Sequence, residues 1–296
     1  MIKVVAVVVT FNRKNLLIEA LNGLLAQTYP LEKIIIINNA STDNTEQLLI
    51  EKDFLVHSLI DYRLLSSNVG GAGGFHEGLK IAGGMTVDWV WVMDDDSIPE
   101  LNALEALLLA NQRLRHHQLN PLILASRVNW IDGSPHPMNF PQLKRKDWTA
   151  IYAGLAEGCF PLRSTSFVSM LMNAKCIEEY GLPIASYFIW NDDTEYTGRI
   201  LRNGEGYLVS SSVVVHKTTE KYTAFTKAGD RFYYEVRNKL WMIRFSSAWT
   251  GMERVRYILI LFKNIFDYLS DDGYLWKKIK IVLRGFFHGL FKYKKV

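Results

Sequence analysis

The feature that most constrains this chain is a short apolar run that ends in three consecutive aspartates. Residues 89–93 read WVWVM, and Asp94, Asp95 and Asp96 follow directly. Aromatic and β-branched residues favour a buried strand over 89–93. Three adjacent carboxylates repel one another, so a strand that ends in them needs a compensating cation nearby. The run therefore predicts a strand that delivers acids to one edge of a sheet.

Two of these acids are candidate metal ligands. If strand geometry persists beyond Met93, Asp94 and Asp96 point the same way, because side chains alternate along a strand. Paired carboxylates suit Mn²⁺ or Mg²⁺, which prefer oxygen ligands and often hold substrate phosphates. The structural alternative is a solvated acidic turn in which Asp96 caps a helix starting at residues 97–99.

Polar loops after two other predicted strands are expected at the same edge. Buried β-branched runs over 3–9 and 34–37 are each followed by a polar loop, 10–13 and 38–45, and then by a helical pattern. This alternation indicates an α/β fold with parallel strands. In such sheets ligands bind beyond the carboxyl ends of the strands. The two loops are therefore expected to lie beside the three aspartates.

A glycine-rich segment, NVGGAGGF, occupies residues 68–75. Its four glycines permit close backbone approach and positive φ angles. A helix predicted from Gly74 to Ile81 would direct its first amides at phosphate or sugar oxygens. Position 76 is His76, so the segment is not the GxGxxG motif, which disfavours a dehydrogenase. The alternative is a structural turn.

A second acidic pair and a histidine complete the candidate residues. Asp192 and Asp193 lie where a helix through about Arg202 is predicted to begin, so each is a candidate helix cap or general base. His216 closes a strand predicted over 207–215 and offers a neutral imidazole nitrogen to a metal. A lone histidine is more often structural than a ligand, and that alternative stays open here.

The basic charge of the chain is concentrated in its last segment. Residues 251–296 carry ten Lys or Arg and four Asp or Glu, which leaves the first 250 residues at a net charge of −2. This distribution disfavours a nucleic-acid partner for the whole protein. The segment alternates apolar stretches with cations, which is typical of amphipathic helices on an anionic membrane surface. Packing on the chain's own domain or on a second subunit is the alternative.

The cysteine content and the length of the apolar runs indicate in which cellular compartment the protein is expected. Cys159 and Cys176 provide neither a disulfide framework nor zinc-ligand spacing, which favours a reducing compartment. The first residues, MIKVVAVVV, are interpreted as a strand because they lack a basic segment and a cleavage site. No apolar run approaches the roughly 18 residues that span a bilayer.

Taken together, these segments resemble glycosyltransferase family 2, the inverting nucleotide-sugar transferases with the GT-A fold, over roughly residues 3–240. The strand and loop at 7–13 resemble the family's opening strand and nucleotide loop. Residues 38–43, NNASTD, resemble the segment that holds the base, and residues 94–96 match its DXD motif. Many relatives have Asp where this chain has Asn38.

Two further segments resemble one branch of the family, which contains bacterial galactofuranosyltransferases and rhamnosyltransferases of cell-surface polysaccharides. These are residues 68–75 and residues 190–196, WNDDTEY. His216 stands where that branch has its metal-binding histidine. The resemblance implies a GT-A type, Rossmann-like mixed α/β sheet flanked by helices over 1–245. Residues 246–296 would form a basic, amphipathic helical extension that contacts a membrane surface or another subunit.

The resemblance also implies a role for each candidate residue. Asp193, with Asp192 as the competing candidate, would be the base that deprotonates the acceptor. Asp94, Asp96 and His216 would hold Mn²⁺ or Mg²⁺, and Trp190 and Glu195 would contact the acceptor. The implied donor-binding residues are Thr10, Phe11, Asn12, Arg13, Asn39, Asn68, Gly70, Gly71, Gly73, Gly74, Asp94 and Asp95.

The expected reaction is the inverting transfer of a sugar to a saccharide acceptor in bacterial surface polysaccharide synthesis. The acceptor is expected to be linked to a lipid. Galactofuranose from UDP-galactofuranose is the first choice, and rhamnose from dTDP-rhamnose is the alternative. The expected location is cytoplasmic, at the inner face of the cell membrane. A sugar nucleotidyltransferase would need a glycine-rich loop that residues 11–14 lack. In a non-catalytic saccharide-binding protein we would expect the acids of the site to be missing, yet both acidic clusters are present.

Overall fold

The computed structural model describes residues 1–144, 148–221 and 228–293. Its centre is a mixed β-sheet flanked by helices. The strands are β1 (Val4–Thr10), β2 (Lys33–Asn38), β3 (Ile60–Leu64), β4 (Trp89–Asp94), β5 (Ser97–Pro99), β6 (Pro121–Asn129), β7 (Gln142–Leu143), β8 (Cys159–Ser164), β9 (Met170–Asn173) and β10 (Glu205–His216). The α-helices are α1 (Lys14–Leu25), α2 (Thr45–Glu51), α3 (Gly70–Gly83), α4 (Ala103–His116), α5 (Trp148–Ala156), α6 (Lys175–Tyr180), α7 (Asp192–Ile200), α8 (Phe232–Phe245), α9 (Gly251–Ser270) and α10 (Leu275–Phe291).

The strand order is β3-β2-β1-β4-β9-β6-β10-β8-β7, and β5 pairs with β10. The first four strands in this order are parallel, and so are β6 and β10. β9 runs antiparallel between β4 and β6. The expected α/β sheet with parallel strands in its first half is therefore confirmed, and the antiparallel strand makes it mixed.

Strand alternation divides the core into two layers. In β1 every residue is buried, and Ala6 and Val8 pack in one hydrophobic cluster whereas Val5 and Val7 pack in the other. The first cluster takes its α-helical residues from α1, α2, α4 and α5, and the second takes them from α3, α6 and α7. A strand covered on both faces has no polar side, which explains the continuous β-branched run in the sequence.

Several element boundaries differ from the sequence predictions. The helix expected from Gly74 begins at Gly70, and residues 97–99 form a strand rather than the start of a helix. Residues 164–172, whose apolar content favours a single strand, do not form one: β8 ends at Ser164, and β9 begins at Met170. Both strands run antiparallel to β6 and β10, on opposite sides of that pair. Neither β3 nor α5 was predicted, although residues 60–64, IDYRL, alternate between apolar and polar side chains as a half-buried strand does.

The C-terminal segment is helical and amphipathic, as predicted. Helix α9 starts with a capping box between Thr250 and Glu253, and it packs on α8, as α10 does. Arg163 on β8 donates to Glu253 at 2.7 Å, which ties α9 to the sheet. Of the helices in the described ranges, none is both long and apolar enough to cross a membrane. The domain division at residue 245 stays a prediction.

Candidate active site

The acidic turn lies where β4 ends. The strand stops at Asp94, and Asp95 and Asp96 form a turn into β5, so the alternation expected past Met93 does not continue. Instead, β5 pairs antiparallel with β10 and places His216 opposite Ser97. This pairing, and not strand alternation, brings the histidine beside the first and third of these acids.

Asp94, Asp96 and His216 each direct a ligand atom into one small space. Their ligand atoms lie within 4.8 Å of one another. The Nδ1 of His216 lies 2.8 Å from the Oδ1 of Asn139, whose Nδ2 donates to the Ser166 hydroxyl at 3.2 Å. An oxygen at Nδ1 holds the proton there, so the Nε2 lone pair faces the acids.

The contact between His216 and Asp96 shows that this space is suited to a cation. The Nε2 of His216 lies 3.0 Å from the Oδ1 of Asp96. That oxygen is buried and has no hydrogen-bond partner with acceptable geometry in the described part of the chain. Two lone pairs at this distance repel unless a proton or a metal ion lies between them. Two carboxylates and one imidazole are ligands that Mn²⁺ and Mg²⁺ accept, so the residues fit a divalent ion.

The pKa shifts of the acids and the histidine at this turn also indicate a site suited to a cation. Burial, reinforced by the charge of Asp96, raises the pKa of Asp94 above its usual range, and burial raises the pKa of Asp95 to about 6. Burial alone would lower the pKa of His216, but the negative charge of the adjacent Asp96 carboxylate raises it. Each shift reflects a negative potential concentrated in a poorly hydrated space. A bound cation relieves that potential.

The loop after β1 is fastened to the acidic turn through Asp95. Its Oδ2 accepts a hydrogen bond from the Thr10 hydroxyl at 2.7 Å and from the Phe11 amide at 3.4 Å. The guanidinium of Arg13 contacts both Asp95 and Asp96. Asp95 is therefore occupied in holding the loop, whereas Arg13 remains half exposed at the edge of the site.

Asparagines organise the neighbouring loops. The Oδ1 of Asn12 accepts from the Thr42 amide at 2.7 Å and so joins the loops after β1 and β2. The Nδ2 of Asn39 donates to the Gly70 carbonyl at 2.9 Å. The Oδ1 of Asn68 accepts from the Gly70 amide at 2.8 Å. The side chains predicted to bind a donor thus also fix the shape of the loops that surround it.

Gly70 makes a close approach that no other residue type allows. Its φ is +76°, and a Cβ added there would lie 2.0 Å from the Phe188 carbonyl oxygen. The same oxygen accepts from the Ala72 amide at 3.1 Å, so the first turn of α3 docks on the segment before α7. Gly74 also packs closely, against Val9 of β1. A glycine-rich sequence is needed here for packing.

The second acidic pair forms the first two residues of α7. The Oδ1 of Asp193 accepts from the Thr194 amide at 2.6 Å. Burial raises the pKa of both carboxyls; Asp193 adds to the shift of Asp192, and the positive charge of Lys239 opposes the shift of Asp193. Carboxyls whose pKa is raised by burial are suited to general acid or base chemistry near neutral pH.

One cavity of about 580 Å³ joins the two acidic clusters. Residues that line it include Arg13, Gly71, Asp94, Asp96, Asn139, Trp190, Asp192, Asp193, His216, Glu235 and Lys239. A larger cavity of about 820 Å³ lies near the amino ends of β1 and β4, between Met1, Trp89 and Glu105. The smaller cavity is the candidate active site, because it alone of these two contains the convergent acids and the histidine.

Some predicted residues lie elsewhere, and some lining residues were not predicted. Glu195 does not line this cavity: it is buried, and it accepts from Arg199 at 3.1 Å and from the Ser246 hydroxyl at 2.7 Å. Asn139 lies in a stretch without periodicity, and Glu235 lies within an aromatic helix pattern. No local signal in the sequence distinguishes either of them.

Comparison with known proteins agrees with this geometry. At 27% identity over 211 residues, the chain resembles galactofuranosyltransferase GlfT1 of Mycolicibacterium smegmatis, with coverage of 68% of this chain and 66% of that protein. GlfT1 of Mycobacterium tuberculosis H37Rv is 28% identical, with coverage of 68% and 65%. The chain thus spans just under two thirds of the length of either relative.

Solved structures share the fold. The structure of S. aureus TarS 1–349 in complex with UDP matches with a TM-score of 0.64 and 16% identity, covering 98% of this chain and 81% of that one. The expected GT-A type fold is therefore confirmed. Residues 5–168, from β1 through the acidic turn to the segment before β9, match the family described as Glycosyl transferase family 2. Because that match covers more than half of the chain, the protein belongs to glycosyl transferase family 2.

Proposed function

We propose that this enzyme transfers a sugar from a nucleotide sugar to a saccharide acceptor, with inversion and with the help of a divalent metal ion. The observation that carries the proposal is the single cavity in which Asp94, Asp96 and His216 lie together with Asp192 and Asp193. One group of residues is suited to hold a cation at the leaving diphosphate. The other is suited to take a proton from the attacking hydroxyl.

The chain's own residues define the roles. Asp94, Asp96 and His216 would hold Mn²⁺ or Mg²⁺, which when bound neutralises charge on the departing nucleoside diphosphate. The Thr194 amide occupies Oδ1 of Asp193, so we assign the acceptor proton to Oδ2. Asp192 is the competing base. A single carboxylate base on the acceptor side gives direct displacement at the anomeric carbon, which inverts its configuration.

Galactofuranose from UDP-galactofuranose is the donor that we propose. Support comes from the relatives that are named galactofuranosyltransferases and from the UDP complex of the TarS structure. Rhamnose from dTDP-rhamnose is the alternative, because uracil and thymine differ by one methyl group. We further propose that the product belongs to a bacterial surface polysaccharide.

A metal-dependent donor assay tests the reaction. Nucleotide sugars including UDP-galactofuranose and dTDP-rhamnose are compared for hydrolysis and thermal stabilisation with Mn²⁺, Mg²⁺ or EDTA. We expect one donor to stabilise the protein only with metal, and Asp96→Ala to lower turnover about 10²–10³-fold. Asp61→Ala removes a carboxylate from the edge strand β3 and is the matched control. A lack of metal-dependent response to every donor would contradict the proposal.

We also propose that α9 and α10 rest on the inner face of the cell membrane, where a lipid-linked acceptor would reside. One face of α9 exposes apolar side chains at spacings of three and four residues: Met252, Val255, Leu259, Phe262 and Phe266. On α10, Trp276 is 78% exposed. Exposed cations accompany these faces, namely Arg256, Lys263, Lys280 and Arg284. Apolar side chains flanked by cations complement an anionic bilayer.

Sedimentation with lipid vesicles tests this surface. We expect binding to phosphatidylglycerol vesicles, weaker binding to phosphatidylcholine vesicles, and loss of binding when Leu259→Asp and Phe262→Asp are combined. Val56→Asp, on an exposed residue between α2 and β3, is the control. If vesicles are not bound and light scattering shows a dimer that the double substitution dissociates, the surface is a contact between two copies of the chain.

A further inference from the structure

The segment that leads into the acidic pair of α7 has an uncommon backbone. Phe188 has φ +66° and ψ −58°, and the Ile189 amide donates to the Tyr187 carbonyl at 2.8 Å, which makes a γ-turn of the rare positive-φ form. Trp190 and Asn191 also have positive φ, at 65° and 67°. Aromatic residues rarely adopt this conformation, so contacts from outside the segment must maintain it.

Helix α8 supplies those contacts through Asn238. This side chain is fully buried. Its Nδ2 lies 2.9 Å, 2.8 Å and 2.9 Å from the carbonyl oxygens of Tyr187, Ile189 and Trp190. The amide has two N–H bonds for three acceptors, so one of them is shared. Arg237 donates to Oδ1 of Asn238 at 2.9 Å, which fixes the orientation of the amide.

Glu235, one turn earlier on α8, holds the next residue of the segment. Its Oε2 accepts from the Nδ2 of Asn191 at 2.8 Å. Its Oε1 accepts from Asn264 of α9 at 2.9 Å and pairs with Lys239 at 2.6 Å. Glu235 is buried, and both of its oxygens are engaged. Asn191 directly precedes Asp192, so this contact fixes the start of α7.

We infer that Asn238 and Glu235 are positioning residues for the catalytic base: they hold residues 187–191 so that the acids of α7 face the metal-binding acids across the cavity. The inference rests on the proposed transferase function. Neither side chain is assigned to the reacting atoms. Asn238 binds only the backbone of the segment, and Glu235 binds its last side chain. The proposed metal ligands Asp94, Asp96 and His216 lie outside this segment, so we expect the binding of UDP with a metal ion to depend on it less than transfer does.

The positioning role is tested by measuring donor binding and sugar transfer separately in the same variant. In Asn238→Ala we expect kcat for transfer to fall about 10²-fold, because a displacement of the base by about 1 Å has effects of that size. We expect the KM for the donor and the binding of UDP with Mn²⁺ to stay within about twofold of wild type. Amide hydrogen exchange over 187–194 should accelerate, which is a readout independent of turnover.

Met242→Ala is the matched control. Met242 lies one turn further along α8, is equally buried, and packs with Trp249 and Tyr257 away from the turn. We expect it to reduce stability while kcat and hydrogen exchange over 187–194 remain as in wild type. If both variants lose kcat in parallel with stability, or if Asn238→Ala retains kcat, the positioning role is refuted.

Asn191→Gly tests the same contact from the other side if Asn238→Ala does not fold. Glycine adopts the φ of 67° freely but cannot reach Glu235, so kcat should fall with donor binding retained. Unchanged kcat in this variant would overturn the inference. If the proposed transferase function itself is wrong, the wild-type protein will show no metal-dependent transfer. If that function holds but amide hydrogen exchange over 187–194 is unchanged in the variants, the positioning role of Asn238 and Glu235 is refuted.

Discussion

Two glycines that are adjacent in the sequence should respond oppositely to the same substitution. Gly70 and Gly71 open α3, and both belong to the glycine-rich segment. At Gly70 an added Cβ would lie 2.0 Å from the Phe188 carbonyl oxygen and 2.7 Å from its ring, at a φ of +76°. At Gly71 an added Cβ would meet no atom within 4 Å. Gly70→Ala and Gly71→Ala are therefore a matched pair.

The expected size of the effect follows from two costs. An alanine at positive φ costs about 1–2 kcal/mol, and displacing a packed backbone costs about 1–3 kcal/mol. Gly70→Ala should therefore lower the free energy of unfolding by about 2–5 kcal/mol. At roughly 2 °C per kcal/mol for a chain of this size, Tm should fall by about 4–10 °C. Gly71→Ala should be neutral or stabilising by up to about 1 kcal/mol, because alanine restricts the unfolded chain.

Thermal and urea denaturation of both variants provide the measurement, with far-UV circular dichroism to confirm the fold. The comparison is strong because the two variants share composition and almost the same position. If Gly70→Ala keeps the wild-type Tm, the docking of α3 on residue Phe188 is not as tight as the structure shows. If Gly71→Ala loses as much stability as Gly70→Ala, the glycines act through general helix effects, and the reasoning fails.

Two further substitutions test the electrostatics of the site. Burial raises the pKa of Asp192 well above its usual value, so the folded protein retains a proton that the unfolded chain releases as pH rises above about 3.8. Asp192→Asn should therefore increase the urea midpoint of unfolding at pH 7, and this gain should shrink towards pH 4. Asp132→Asn, at an exposed position, is the control and should show no such gain. A lower midpoint for Asp192→Asn at pH 7 would contradict the raised pKa of Asp192. Asn139→Ala should weaken Mn²⁺ binding, measured by calorimetry, about 10–100-fold, because Asn139 orients His216. Met138→Ala is the control. Equal Mn²⁺ affinities in the two variants would refute the orienting role of Asn139.

The sequence determined which local segments carry chemistry. The run 89–93 is apolar enough to be a buried strand, and its abrupt end in three acids already indicated a cation. The β-branched runs of β1 and β2 and the polar loops after them were equally readable. These signals are local, because strand propensity and side-chain alternation depend on neighbours along the chain. They were sufficient to predict the α/β sheet and the edge at which the site lies.

Only the tertiary structure decided how those segments are joined. The carboxyl pair was predicted from alternation along one strand, yet Asp96 lies in a turn, and its partner His216 arrives through the pairing of β5 with β10. Asn238 and Asn139 were not predicted, since an asparagine within a helix or a loop has no local pattern that reveals which distant group it contacts. Buried polar groups need partners, and those partners are found only when the chain has closed on itself. The site's hydrogen-bonded supports are for that reason a property of the fold.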